Sequence, residues 1–217
     1  MTALRVFIGY DPRQPVAFQV AAHTVWKYAS APVSITRLQL NQLPITRTGL
    51  TEFTYSRFLV PWLSNYEGLS LFIDSDMLVR GDVHDLLSYP MEYPGMGVFV
   101  VPHTLRFERP SVMLYRNALC KTLTPEYVEE APVFNFAWAE DRVGALPKDW
   151  NHLVGYDAPN PDAKLIHFTQ GIPCWPETQA CEWADQWRAE RDDAVSTVSF
   201  KALMGRSVHI PYMKVAT

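Results

Sequence analysis

The sequence predicts an α/β fold with a mostly parallel central sheet flanked by helices. Short continuous apolar runs, which are typical of strands buried on both faces, occur at residues 4–9 and 69–73. Between them, apolar residues recur at helical spacing over residues 14–29. Strands that alternate with helices in this way favour a parallel sheet covered on both faces.

The remaining elements follow from the same patterns. Residues 33–40 alternate between apolar and polar and predict a second strand, and residues 53–63 predict a helix. The 17 prolines cluster between elements, which predicts long but ordered loops. Three further strands and a last helix are predicted at 96–101, 111–115, 164–168 and 178–191.

Composition and charge exclude several classes of protein. The 217 residues are 48% hydrophobic and 19% charged, which is ordinary for a globular chain, and we expect one domain over 1–217. The net charge of −4 gives no reason to expect nucleic-acid binding. No apolar run reaches the ~20 residues that cross a bilayer, and the N-terminus lacks a signal-peptide pattern. Three scattered cysteines favour a reducing compartment, so we expect a cytoplasmic protein.

Two carboxylates follow the third predicted strand. Asp74 and Asp76 come directly after the apolar run 69–73 and are separated by Ser75. Ligands of open α/β sheets bind beyond the carboxyl ends of the strands. If the chain stays extended through Ser75, both carboxylates point the same way, and such a pair suits Mg²⁺ or Mn²⁺. An acidic loop that only caps the strand explains the pair equally well.

Two other strand exits carry candidate ligand-binding residues. His167 lies near the end of the predicted strand 164–168, before a loop that ends in Trp175, and imidazole with carboxylates is a typical Mn²⁺ ligand set. The alternative is a histidine that serves only in packing. At the exit of the first strand, Tyr10 can stack on a nucleobase and Asp11 can accept hydrogen bonds from the base or ribose. An ordinary Asp-Pro turn is the alternative there.

Several segments also recur in a recognisable order. A first strand and loop are followed by TYSRFLVPWL with Arg57, by LFIDSDMLV, and by RPSVMLYRN, LPKDWNHL and HFTQGIPCW. This order resembles the family 8 glycosyltransferases, the GT-A-fold group that includes glycogenin and bacterial lipopolysaccharide galactosyltransferases. The resemblance covers about residues 4–176.

The resemblance implies a GT-A, Rossmann-like fold that transfers a hexosyl group, with retention, from a nucleotide sugar to a carbohydrate or other hydroxyl acceptor. The donor is expected to be UDP-linked, with the nucleotide-binding half at about 1–101 and the acceptor half at about 102–217. Mn²⁺ or Mg²⁺ would be held by Asp74, Asp76 and His167. Donor binding would involve Tyr10, Asp11, Arg57, Ser75, Gly171 and Trp175. No catalytic carboxylate is assigned, which favours front-face displacement assisted by the leaving phosphate.

The chain departs from the family in two segments. The family's last loop carries a Lys before Pro-Trp that contacts the diphosphate, whereas this loop reads Ile-Pro-Cys-Trp over 172–175. In this chain, Arg57, Lys164 or backbone N–H groups would have to bind the negative charge of the diphosphate instead. The family's Asp-Gln-Asp segment is not recognisable in EEAPVFNFAWAED, residues 129–141.

Two alternatives remain open at this point. Haloacid-dehalogenase-like phosphatases also place D-x-D at a strand end, with the first Asp as nucleophile, and GDVHD at 81–85 superficially resembles their second acidic motif. Against this reading, their D-x-D follows the first strand, and Leu78 stands where they have Thr or Val. The other alternative is a non-catalytic nucleotide- or carbohydrate-binding domain of the same fold.

Overall fold

A computed structural model describes residues 3–195 and confirms the α/β fold. The strands of this range are β1 (Leu4–Gly9), β2 (Val33–Leu38), β3 (Leu69–Ile73), β4 (Met77–Val79), β5 (Val98–Val100), β6 (Val112–Arg116), β7 (Val143–Ala145), β8 (His152–Leu153) and β9 (Leu165–His167). The α-helices are α1 (Pro15–Tyr28), α2 (Phe53–Ser56), α3 (Val60–Leu63), α4 (Ser88–Glu92), α5 (Pro125–Glu130) and α6 (Ala184–Val195).

The central sheet has six strands in the order β2-β1-β3-β6-β5-β7. β1 runs parallel to β2 and β3, and β5 runs parallel to β7. β6 is antiparallel to both of its neighbours, β3 and β5. The segment between β5 and β6 contains a 3₁₀ turn, Arg106–Ser111, and no crossover α-helix, and antiparallel strands need none. The sheet is therefore mostly parallel, as predicted, with one reversed strand.

A second, three-stranded sheet lies in the order β4-β9-β8. β4 pairs antiparallel with β9, so that Met77 faces His167, and β8 pairs parallel with β9. Between β3 and β4 the chain bends at Ser75 and Asp76 and does not stay extended there. The expectation of an extended chain through Ser75 is wrong, because the bend carries the chain from one sheet into the other.

Two predicted helices differ from the structure. The run 53–63 is interrupted by a 3₁₀ turn at Arg57–Leu59. The next helix, α3, begins at Val60, and Pro61, which has no N–H to donate to the preceding turn, is its second residue. The helix predicted over 178–191 begins only at α6. Trp183 has φ 64, a left-handed conformation that a regular helix cannot contain, so residues 178–183 form turns.

The core lies on both faces of the central sheet and beneath the small one. Val6 and Leu71 point to the face covered by α1, and Phe7 and Phe72 point to the opposite face. A third cluster joins α1, the small sheet and α6, and its largest fully buried side chain is Trp187. In residues 3–195, no helix is long and apolar enough to cross a membrane.

Removing Trp187 should strongly destabilise the fold, because its indole is 0% exposed within the cluster beneath the small sheet. We expect Trp187→Ala to lower the free energy of unfolding by about 3–5 kcal/mol in urea denaturation. The matched control is Trp26→Ala, since Trp26 is 59% exposed, and it should change stability by less than about 0.5 kcal/mol. If the two variants were equally stable, the packing of Trp187 from α6 into the cluster beneath the small sheet would be contradicted.

Candidate functional site

Three residues that are distant in sequence meet where the two sheets join. Asp74 follows β3, Asp76 lies in the bend before β4, and His167 ends β9. The pairing of Met77 with His167 places the imidazole beside the bend. One ligand atom from each residue lies within 4.8 Å of the other two. His167 Nε2 is 3.4 Å from Asp76 Oδ1.

Arg57 points into this site. The residue is 6% exposed, and the 3₁₀ turn after α2 places it opposite the end of β3. Nη2 lies 3.0 Å from Asp74 Oδ1, and Nη1 donates to Asp74 Oδ2 at 3.3 Å and to the Pro110 carbonyl oxygen at 2.9 Å. The guanidinium therefore spans both oxygens of Asp74 and holds that carboxylate in place.

Glu108 is a third buried carboxylate in the site, and its sequence context does not reveal it. It is 3% exposed in the 3₁₀ turn before β6. Its Oε2 accepts a hydrogen bond from Ser111 Oγ at 3.2 Å and lies 3.5 Å from His167 Nδ1. Its Oε1 accepts one from Thr169 Oγ1 at 2.5 Å. Because β6 is antiparallel to β3, the start of β6 lies at the edge where β3 ends.

Burial and neighbouring charges together raise the pKa values of two residues in the site. Burial, opposed by Arg57 and reinforced by Asp76 and Glu108, raises the pKa of Asp74 to about 7. Burial alone lowers the pKa of His167, but the carboxylates around it, Asp76 first, raise that pKa to about 9. Three carboxylates thus face one arginine and one histidine, and the surplus negative charge favours binding of a proton or a metal cation.

An open cleft of about 370 Å³ leads to these residues. Its polar floor includes Arg57, Asp76 and Thr169, while Phe107 and Tyr156, which are 61% and 54% exposed, belong to its apolar lining. The remaining described lining residues are Leu50, Thr51, Phe53, Thr54, Asp74, Glu108, Ser111, Phe134 and His167. The cleft therefore combines charged groups with aromatic surface.

Tyr10 and Asp11 lie at the exit of β1, beside the exit of β3, but do not line the cleft. The Arg37 guanidinium lies 4.6 Å over the Tyr10 ring. Asp11 is buried and accepts hydrogen bonds from Arg13 Nε at 2.9 Å and Nη2 at 2.5 Å, which hold the pKa of its carboxyl below the usual value. A nucleobase bound at this exit would find the Arg37 guanidinium already over the Tyr10 ring, and it would find both oxygens of Asp11 already hydrogen-bonded to Arg13.

The other predicted donor-binding residues surround the site without lining the cleft. Ser75 is buried in the bend. Gly171 has φ 118, a backbone conformation that favours glycine, and Trp175 Cδ1 would lie 3.2 Å from a Cβ added there. Trp175 is 46% exposed and packs against this turn. Lys164 Nζ binds Asp85 at 3.0 Å, outside the cleft, and is not placed to meet a ligand in it.

The fold is that of the GT-A glycosyltransferases. The WbbM bifunctional glycosyltransferase superposes with a TM-score of 0.65 at 16% identity, over 88% of this chain and 50% of that one. GlyE from Streptococcus pneumoniae gives 0.63 at 18% identity, over 88% and 60%. The galactosyltransferase LgtC, solved with donor and acceptor sugar analogs, gives 0.57 at 13% identity, over 91% and 98%. The chain thus spans about half to 60% of the WbbM and GlyE chains.

A relative in sequence assigns the chain to a family. Protein CDI from Arabidopsis thaliana is 33% identical over 225 residues, which cover 87% of this chain and 86% of the relative. The chain belongs to the family of Protein CDI. No protein-family profile matches it.

Removing Arg57 should destabilise the fold, because Asp74 would then be a buried carboxylate without its arginine. We expect Arg57→Met to lower the free energy of unfolding by about 3–5 kcal/mol, because Asp74 loses the partner of both its oxygens. The control is Arg57→Met/Asp74→Asn, which removes both charges and should recover at least about 1 kcal/mol in the same urea denaturation series. If the double variant were less stable than Arg57→Met, the loss of stability in Arg57→Met could not be due to an unpaired buried charge on Asp74.

Proposed function

We propose that the protein is a metal-dependent glycosyltransferase, similar to family 8, that transfers a hexosyl group from a UDP-sugar to a carbohydrate or other hydroxyl acceptor with retention. The observation that carries this proposal is the convergence of Asp74, Asp76 and His167 at the carboxyl edge of a GT-A sheet. We also propose that residues 1–217 form one domain, with a nucleotide-binding half and an acceptor half, and that the protein is cytoplasmic.

The residues of the site fit a hard divalent cation. Asp76 Oδ1 is buried and has no hydrogen-bond partner among the described residues. Two carboxylates and an imidazole form a donor set that suits Mn²⁺ or Mg²⁺. When bound, the ion supplies charge neutralisation and Lewis acidity for a departing diphosphate.

A second acidic cluster in the same chain fits a metal less well. Glu190 and Asp193 also lie near a histidine, His23. Lys27 Nζ already lies 2.9 Å and 2.7 Å from the two oxygens of Glu190 and 3.5 Å from Asp193. This cluster already holds the ammonium group of Lys27, whereas Asp76 in the proposed site faces His167, a side chain that can itself ligate a metal once Nε2 has given up its proton.

The loop after β9 offers little further help with the diphosphate charge. Thr169 donates its hydroxyl proton to Glu108, and the Gly171 N–H donates to the Phe168 carbonyl oxygen at 2.7 Å. Among the described residues that line the cleft, Arg57 is the one arginine or lysine, and its guanidinium is engaged by Asp74 and by a carbonyl oxygen. The proposal therefore assigns most of the charge neutralisation to the metal, with Arg57 as the protein's contribution.

The phosphatase alternative is not favoured. Its nucleophile has to be a free carboxylate, whereas both oxygens of Asp74 face Arg57. The proposed second acidic motif lies outside the cleft, where Asp82 accepts from the His84 N–H and Asp85 binds Lys164. A non-catalytic domain of the same fold differs from an enzyme in one measurable respect, since it would bind UDP without releasing it from a sugar donor.

The proposal predicts that UDP binds in the presence of Mn²⁺ and that this binding depends on the carboxylate pair. We expect Asp74→Asn/Asp76→Asn to weaken Mn²⁺-dependent UDP binding at least about tenfold in calorimetry, because two charged oxygen ligands are lost. The matched control is Asp82→Asn/Asp85→Asn, which removes the same charge from a turn outside the cleft and should leave the affinity unchanged.

A donor screen then separates transfer from binding. Nucleotide sugars incubated with the wild-type protein and Mn²⁺ are scored for UDP or GDP release, and we expect release from a UDP-sugar that the Asp74→Asn/Asp76→Asn variant abolishes. Binding of UDP without release from any donor or acceptor tested would favour the non-catalytic domain. Equal Mn²⁺-dependent UDP affinity in wild type and the Asp74→Asn/Asp76→Asn variant would overturn the proposed site.

A further inference from the structure

His167 is held from the side that faces away from Asp76. Its Nδ1 lies 3.0 Å from Oδ1 of Asn151, a side chain that is 1% exposed. The amide of Asn151 also donates from Nδ2 to the Glu108 carbonyl oxygen at 3.2 Å. This amide therefore bridges the imidazole and the backbone of the turn before β6.

The second contact of Asn151 determines which end of its amide faces the imidazole. A backbone carbonyl oxygen only accepts hydrogen bonds, so the NH₂ group of Asn151 has to face Glu108. The amide oxygen is then left for His167, and an oxygen there only accepts. Nδ1 of His167 must therefore carry a proton to complete the buried hydrogen bond.

The pairing of β8 with β9 holds Asn151 near His167. Asn151 directly precedes β8, which pairs parallel with β9, so that Leu153 lies opposite His167. On the same side of the ring, Glu108 Oε2 lies 3.5 Å from Nδ1 and favours a proton there. The opposite nitrogen, Nε2, faces Asp76.

We infer that Asn151 is a positioning residue that keeps the proton of His167 on Nδ1 and so presents the lone pair of Nε2 to a divalent cation beside Asp74 and Asp76. Histidines that bind metals typically donate their other N–H to a carbonyl or carboxylate oxygen, and loss of that partner costs about 10–100-fold in metal affinity. This inference rests on the proposed metal site, but it also makes a statement about the metal-free protein.

The first test reads the tautomer directly. In metal-free protein with ¹⁵N-labelled histidine, at a pH where the ring carries one proton, long-range ¹⁵N–¹H correlations should place the proton of His167 on Nδ1. Asn151→Asp keeps an acceptor oxygen and should keep that pattern, whereas Asn151→Leu, which leaves Glu108 alone on that side at 3.5 Å, should lower the fraction of rings protonated on Nδ1. A wild-type proton on Nε2 would overturn the inference even if Asn151→Leu fails to fold.

The second test measures Mn²⁺ affinity by calorimetry without a nucleotide. We expect Asn151→Leu to weaken binding about 10–100-fold and Asn151→Asp to weaken it much less. The control is Asn117→Leu, since Asn117 is equally buried and its amide donates to the Glu67 carbonyl oxygen at 2.8 Å, far along β6 from the site. It should lose stability but keep both the tautomer and the affinity.

The outcomes separate this inference from the proposed function. A wild-type protein that binds no Mn²⁺ but keeps the proton on Nδ1 would refute the metal site and leave the tautomer assignment standing. A folded Asn151→Leu variant with wild-type Mn²⁺ affinity, or an Asn117→Leu variant with the same loss of affinity, would refute the positioning role of Asn151.

Discussion

The buried pair of Arg57 and Asp74 is the interaction on which the arrangement of the site depends. It joins the 3₁₀ turn after α2 to the end of β3, and it holds a carboxylate at the junction between the two sheets. Asp76 and Glu108 add two more carboxylates that this one guanidinium does not neutralise. Burial first, and then the neighbouring carboxylates, raise the pKa of Asp74, while the carboxylates raise the pKa of His167 against the effect of burial. The surplus negative charge makes the site suited to a cation.

Much of the site was predictable because its residues stand at the ends of recognisable apolar runs. Asp74 and Asp76 follow the strand 69–73, and His167 ends a short apolar strand, so the topology of an α/β sheet brings them to one edge. Glu108 was not predictable from these runs. It precedes a strand, and only the reversal of β6 places the start of that strand at the same edge. Asn151 depends on β8, a strand too short to show a period in sequence.

The chain differs from the family it resembles in how it can meet the charge of a departing diphosphate. The loop at 168–175 lacks the lysine, and the structure shows that Thr169 and Gly171, two neutral donors of this loop, are already engaged within the protein. The same loop contributes to the site in another way, because Thr169 binds Glu108, which lies against His167. The loop is therefore tied to the proposed metal ligands, and its position is coupled to theirs.

The most direct measurement of the central claim, that the surplus charge is matched by one divalent cation, is pulsed electron paramagnetic resonance of Mn²⁺ added to the protein. A bound ion should show hyperfine coupling to one imidazole nitrogen, from His167, and His167→Gln should abolish that coupling while His23→Gln leaves it intact. Mn²⁺ that shows no nitrogen coupling, or coupling lost only with His23→Gln, would contradict the account.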